Sequence, residues 1–196
     1  MGTRDRILDA AAHVMRTRGF AHTTTKEIAR AAEYSEATLY KHFQDKTELF
    51  LAVLHERLPS FHPFVAALQG DPGRGTVRAN LIEIAVGAIA FYHEAFPMNA
   101  SLFSEPTLLA AHRAAIGRRR AGPHRAVEAV AKYLQAEHDD GRIRPGADTG
   151  AAAALLVGGC LQYAFLETFA QRPLNEQRAR EYAVSIVDTL LAGLVE

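Results

Sequence analysis

Residues 24–54 read TTKEIARAAEYSEATLYKHFQDKTELFLAVL, and this stretch decides the fold. Three helix starts lie inside it. Thr24 followed by Glu27 fits a capping box, in which the N-cap hydroxyl serves the amide three residues on while the carboxylate reaches back. Ser35 suits the N-cap of a short run over 36–43, and Asp45 with Glu48 repeats the box ahead of Leu49. Two short helices joined by about three residues, then a longer third, make a helix-turn-helix layout.

The second short helix has two unlike faces. At about 100° per residue, Leu39 and Phe43 form an i, i+4 pair and point inward together. The opposite face carries Ala37, Thr38 and Lys41, with Tyr40 and His42 on its flanks. That face is small near its start and rich in hydrogen-bonding groups, which suits entry into a major groove. Lys46 is a second signal. A cation in the first turn opposes the helix dipole, so something else must favour it, and a DNA phosphate is a candidate.

The run 38–50, TLYKHFQDKTELF, together with Gly19-Phe20 and residues 24–29, resembles the N-terminal domain of the TetR family of bacterial transcriptional regulators. The match to the family's TLYxHFxxKxxLF run is close, and it covers about the first quarter of the chain. One departure stands out. The family usually has Gly in the turn where this chain has Glu33, and a small aliphatic residue where it has Tyr34. If the turn needs positive φ, Glu33 costs roughly 1 kcal/mol of backbone strain. Carried over by motif position and helix face, the resemblance assigns Thr25, Lys26, Ser35, Tyr40, His42 and Lys46 to phosphates. Glu36, Ala37, Thr38 and Lys41 are expected to face base edges.

Bulk composition neither advertises nor forbids nucleic acid. The 196 residues carry 22 Lys/Arg against 22 Asp/Glu, and the 48% hydrophobic content suffices for a core. Residues 1–46 hold eight Lys/Arg against six Asp/Glu, so +2, and the remainder is −2. A +2 unit binds DNA weakly alone, because affinity follows the number of cations placed on phosphates, and pairing two such units helps. A single Cys excludes an internal disulfide framework. No charged region followed by an apolar stretch opens the chain, so no signal peptide is expected and cytoplasm is the default.

Outward from the central stretch, every signal is helical. A first helix over 4–18 places Ile7, Leu8, Ala11, Ala12 and Met15 on one stripe and ends at Gly19. The third helix of the unit runs over 46–58, where Pro59 and Pro63 bend or interrupt it. Gly70–Gly75 (GDPGRG) reads as a loop. Helices are then expected over 76–95, broken at Pro97 with a short piece to Ser104, over 106–119 and over 123–139. After a second loop over 141–146, two long helices over 148–171 and 176–194 finish the chain, the last capped by Asn175. No alternating strand-length run and no repeat appears. The expected fold is all-α, with a helix-turn-helix domain over 1–46 and a helical-bundle effector-binding and dimerisation domain over 47–196.

The final pair of helices implies a partner. Residues 149–166 carry no charge, yet Gly158, Gly159, Cys160 and Gln162 make a poor membrane span, so a helix buried on nearly all sides is expected. Ala183, Ile186, Val187, Leu190, Leu191 and Leu194 form a stripe on the last helix. Two such helices per chain, paired about a twofold axis, give a four-helix interface, and the TetR resemblance implies the same. Its expected residues are Leu155, Gly159, Gln162, Leu166, Ile186, Val187, Leu190 and Leu194. Such a homodimer would present its reading helices roughly 34–36 Å apart, matching a palindrome.

The middle of the chain is rich in aromatics and poor in charge, which suits an apolar pocket between helices. Phe91, Met98, Phe103, His112, Tyr133, Gln162, Tyr163 and Glu167 are the candidate lining. Nine His invite a metal reading, but no HxH, HxxxH with Glu or Cys/His cluster has ligand spacing, so no metal or cofactor is expected. Residues 118–120 with Arg125 read as a solvated helix end. Cys160 sits mid-helix among apolar residues, where burial makes a thiol inert. No nucleophile elbow or phosphate loop is present, so no catalytic residue is assigned. The resemblance implies a one-component repressor that binds operator DNA as a homodimer and is released by a small, largely apolar effector. The alternative is a helical small-molecule carrier or enzyme whose N-terminal unit is structural.

Overall fold

The computed structural model describes residues 2–57, 73–118 and 122–193. Among these there are helices and turns but no strand. In chain order they are α1 (Thr3–Arg18), α2 (Thr25–Ala31), α3 (Glu36–Tyr40), α4 (Lys46–Glu56), α5 (Val77–Ser104), α6 (Pro106–Arg118), α7 (His124–Asp139), α8 (Thr149–Phe169) and α9 (Glu176–Ala192). The expected bend at Pro59 and Pro63, the start of the GDPGRG loop, Leu194 and the Arg119-Arg120 pair lie outside the described residues. Packing divides the rest into two units: residues 2–57 with 95–118, and residues 73–94 with 122–193.

The first unit closes around the apolar stripe of α1. Ile7, Leu8, Ala11 and Met15 are fully buried against Ile28 of α2, Leu39 of α3 and Leu49, Phe50 and Val53 of α4. Met98 and Leu102 from the end of α5, and Leu108 of α6, complete the same core. Ionic clasps tie α1 to the end of α4. Arg57 reaches Asp5 at 2.8 Å and Asp9 at 2.6 Å, and Arg4 grips both carboxylate oxygens of Glu56 at 2.6 and 2.7 Å. These contacts hold the Asp5 and Glu56 carboxyls below their ordinary range, chiefly by hydrogen bonds from Arg57 and Arg4 respectively.

The second unit is a helix bundle. Leu81, Ala85 and Ile89 of α5, Val130 and Leu134 of α7, Ala153, Leu156 and Cys160 of α8, and Ala183 and Val187 of α9 share one core. Burial pushes the Cys160 thiol up to about 12, consistent with an inert core cysteine. Asp148 caps α8 by accepting from the Ala151 N–H, and Asn175 caps α9 by accepting from the Arg178 N–H. The fully buried Glu137 carboxylate lies 2.8 Å from the Arg142 guanidinium and also accepts from the Gly73 N–H.

Three expectations change. Helix α5 runs unbroken through Pro97; the missing N–H is tolerated because Ala95, Met98 and Leu102, on either side of it, are anchored in the protein interior. The short run starting at Glu36 is helical only to Tyr40, although Phe43 still points inward and is buried. Helix α8 is not enclosed on nearly all sides by its own chain. Its core face is covered, but Leu155 is 70% and Phe169 78% exposed. The other helices of the unit pack on only one side of it, through Ala152, Ala153, Leu156, Val157, Cys160 and Ala164.

Two helices end on a non-glycine residue in the left-handed region. Glu33 follows α2 at φ 62°, and Gln171 follows α8 at φ 52°. Both turns close the same way. The Tyr34 N–H returns to the Ala29 carbonyl and the Glu33 N–H to Arg30, just as Arg172 returns to Glu167 and Gln171 to Thr168. At the corresponding end of α7 this position is Gly141, at φ 72°. Gln171→Gly should therefore raise stability by about 1 kcal/mol. Glu33→Gly should raise it by less, because Glu33 also pairs with Arg6 at 2.9 Å. Urea unfolding midpoints of the two variants check this, and a loss in both would show that the strain is absent.

Candidate nucleic-acid interface

Helices α2, α3 and α4 each begin at a cap that the sequence spells out. Thr24 accepts from the Glu27 N–H at 3.2 Å, and Glu27 accepts from the Thr24 N–H at 3.0 Å, so the capping box is closed. Ser35 accepts from the Thr38 N–H at 3.2 Å, and Asp45 accepts from the Glu48 N–H at 2.8 Å. Between the second and third caps, Leu39 and Phe43 anchor α3 to the core. The Arg4 guanidinium lies over the Phe43 ring at 5.3 Å.

The residues expected to touch DNA are exposed or half-buried, and none is fully buried. Lys26, Ser35, Ala37, Lys41 and His42 are exposed, Tyr40 is half exposed, and Thr25, Glu36, Thr38 and Lys46 are half-buried. They are not all free. The Thr25 hydroxyl donates to Glu36 at 2.7 Å and lies 3.2 Å from the Tyr40 phenol oxygen. The Ser35 and Thr38 hydroxyls are 3.0 Å apart. Lys46 has a partner within the chain, because its ammonium lies over the Phe20 ring at 4.1 Å. Burial lowers its pKa from the ordinary lysine value, while Glu105 and Glu27 act in the other direction. Its place in the first turn of α4 therefore has an internal cause that pattern reading missed.

Arg6 was also missed. It donates to Glu33, lies over the Tyr34 ring at 5.2 Å and reaches the Tyr34 hydroxyl at 3.4 Å. The two residues that depart from the TetR pattern thus share one partner on α1. Sequence offered only a weak signal for this, an arginine on the first helix with no obvious duty.

The candidate effector residues divide between the two units. Phe91, Tyr133, Gln162, Tyr163 and Glu167 belong to the bundle, and Met98, Phe103 and His112 to the first unit. Met98 is buried in the first core, Phe103 is 77% exposed, and His112 stacks on His55 at 5.7 Å. In the bundle, Tyr163 packs on Tyr182 at 4.6 Å, and Tyr133 accepts from Asn80 at 2.9 Å. Glu167 pairs with Arg172 at 2.6 Å, Phe91 meets Tyr92 edge-on, and Gln162 is exposed. Of the expected interface residues, Leu155, Gln162 and Leu166 are exposed, and Gly159, Ile186 and Leu190 are half-buried. Val187 is a correction: it is fully buried in its own chain's core, one turn-face away from the exposed side.

Residues 7–53 match the sequence profile described as bacterial regulatory proteins of the tetR family. Residues 100–193 match that of the AefR-like transcriptional repressor C-terminal domain. The chain belongs to the TetR family of bacterial transcriptional regulators. Among relatives of this TetR-family chain is YvkB of Bacillus subtilis (strain 168), an uncharacterized HTH-type transcriptional regulator. It is 39% identical over 69 residues, 35% of this chain and 36% of that protein. QacR of Staphylococcus aureus (strain Mu50 / ATCC 700699) is 40% identical over 55 residues, 28% of this chain and 29% of its own length. The chain thus spans about a third of the length of these relatives, all transcriptional regulators rather than enzymes.

Solved structures extend the likeness of fold to the whole chain. A structure from Mesorhizobium loti MAFF303099, described as a TetR-family transcriptional regulator, superposes with a TM-score of 0.79 at 22% identity, covering 99% of this chain and 97% of that one. The SmeT–triclosan complex superposes at 0.71 and 24% identity, covering 100% and 93%.

Ser35→Ala should cost about 1 kcal/mol, since a short helix depends on its cap, and it also removes the Thr38 hydroxyl's partner. Thermal unfolding of this variant against Thr38→Val separates the two losses, because only the former removes the cap.

Proposed function

We propose that this regulator is a repressor that binds palindromic operator DNA as a homodimer in the cytoplasm and is released by a small, largely apolar effector. One observation carries the DNA reading. Leu39 and Phe43 are buried behind α3, while Lys41, His42, Tyr40, Ser35 and Lys26 stand outside on adjoining elements. Phosphates fall to Thr25, Lys26, Ser35, Tyr40, His42 and Lys46, and base edges to Ala37, Thr38 and Lys41. In this reading Glu36 is given to the Thr25 hydroxyl, from which its carboxylate accepts, and not to a base edge.

In this reading residues 1–46 carry the DNA contacts, and residues 47–196 carry the effector and dimer contacts. The exposed, charge-free face of α8, with Leu155, Leu161, Phe165, Leu166 and Phe169, supports pairing with a second copy. An apolar effector is supported by the bundle's aromatic groups and by the triclosan and stearoyl-CoA held by the similarly folded SmeT and Bacillus subtilis FadR. An effector that favours a conformer with wrongly spaced reading heads needs a coupling of only about 1–3 kcal/mol.

Selection of bound genomic fragments by the purified protein at about 150 mM salt should return a palindrome. No enrichment from folded protein would defeat the operator reading. On the recovered site, Tyr40→Phe should weaken binding on all sequences alike, whereas Lys41→Ala should also relax base preference; equal losses on operator and random DNA for Lys41→Ala would refute that division. Leu155→Glu should give a monomer in sedimentation velocity with most operator affinity lost. A dimer that persists in this variant would move the interface elsewhere.

A further inference from the structure

The carboxylate of Glu36 sits at the end of a one-way chain of hydroxyls. Thr25 has a single hydroxyl hydrogen, and its oxygen lies 2.7 Å from Glu36 Oε1. An ionised carboxylate only accepts, so that hydrogen is committed to Glu36. The Tyr40 phenol oxygen lies 3.2 Å from the same Thr25 oxygen. With the Thr25 hydrogen already used, Tyr40 must be the donor. Donation therefore runs from Tyr40 to Thr25 to Glu36. A phosphate oxygen is likewise an acceptor. Neither hydroxyl can donate to a DNA phosphate while this chain is closed.

We propose that Glu36 is a positioning residue that acts as an internal stand-in for phosphate. It holds the Thr25 and Tyr40 hydroxyls, and with them the adjoining faces of α2 and α3, in the free protein. It then competes with the DNA backbone for the same two hydrogens. The inference rests on the reading of Thr25 and Tyr40 as phosphate contacts. Opening the chain needs only rotation about two C–O bonds, with no movement of heavy atoms. Phosphate contacts carry no sequence information, so this competition lowers affinity for all duplexes equally and leaves the ratio between operator and other DNA unchanged. Glu36 thereby sets how much DNA of any sequence the regulator occupies.

The test measures binding of Glu36→Ala and Glu36→Gln to fluorescent duplexes carrying the selected operator or mixed sequence, over a salt series. Glu36→Ala should bind both duplexes about three- to tenfold tighter, the worth of a freed hydrogen bond. Glu36→Gln should gain less, because its amide oxygen still accepts from Thr25. In a Thr25→Val, Tyr40→Phe background the gain should vanish. A gain that persists there, or one as large for Gln as for Ala with a changed salt slope, means simple removal of a negative charge and overturns the proposal. Weaker binding by both variants overturns it as well, since Glu36 would then serve the contact it is said to oppose. Failure of the wild-type protein to bind any duplex would refute the DNA reading itself, whereas wild-type binding that Glu36→Ala leaves unchanged overturns only the role given to Glu36.

Discussion

A helix of five residues cannot stand by itself in water, and α3 is such a helix. Nucleating it fixes several residues for a single hydrogen bond, so its stability comes from outside. Leu39 and Phe43 supply that support by inserting into the core built on α1. Ser35 supplies the rest by taking up an orphan amide at the first turn. Because the inner pair and the cap keep the helix in place, Ala37, Lys41 and His42 are released from folding duty, while Thr38 and Tyr40 keep hydrogen bonds to Ser35 and Thr25. Their chemistry can then be set by what they touch. The same division explains why the surrounding helices are so heavily committed to the interior.

Phe20 is the point where several of these commitments meet within the first unit. Its ring packs edge-on against Phe50 at 4.9 Å and receives the Lys46 ammonium on its face. Its N–H donates to the Ser101 hydroxyl at 3.3 Å, near the end of α5. One residue just past the glycine that ends α1 therefore touches the first turn of α4, the middle of α4 and the last turn of α5. A shift in any of these alters the packing of the loop that leads into α2. The Lys46 contact is local and within the chain, and it offsets the unfavourable dipole position without any external anion.

Patterns that repeat along the chain were legible in the sequence. The capping box at Thr24, the buried stripe of α1, the inward pair of α3 and the caps at Ser35, Asp45 and Asn175 could all be read because each uses residues three or four apart. The need for positive φ after α2 was legible too, through the missing glycine at Glu33. Contacts between residues far apart in sequence were not. Arg6 with Glu33 and Tyr34, Phe20 with Lys46, and Thr25 with Glu36 depend on how helices cross, which no local pattern encodes. Pro97 was misread for the related reason that tertiary packing on both sides can carry a helix through a proline. Glu36 was expected at a base edge, and only its neighbour on α2 reveals that its carboxylate accepts from Thr25.

Helix α8 presents a different balance. A scattering of exposed leucines and phenylalanines is normal on a protein surface. Here, of the seven large hydrophobics exposed among the described residues, five lie on this one helix. They share that surface with Gly158 and Gln162 and with no charge between residues 149 and 166, so little on it favours water. The opposite face is already filled, and Val187, Ala183 and Cys160 leave no room there for another layer. Elsewhere the bundle handles polarity with care: the Glu137 carboxylate is buried only alongside Arg142, and the exposed side of α9 is tied down by Arg78–Asp188 and Arg180–Glu83 pairs. A chain that pairs its charges so consistently yet leaves five large apolar side chains on one helix would gain from a second apolar surface, as the proposed homodimer requires. A symmetric copy of the same face meets that requirement with no further sequence, since each chain then supplies what the other lacks.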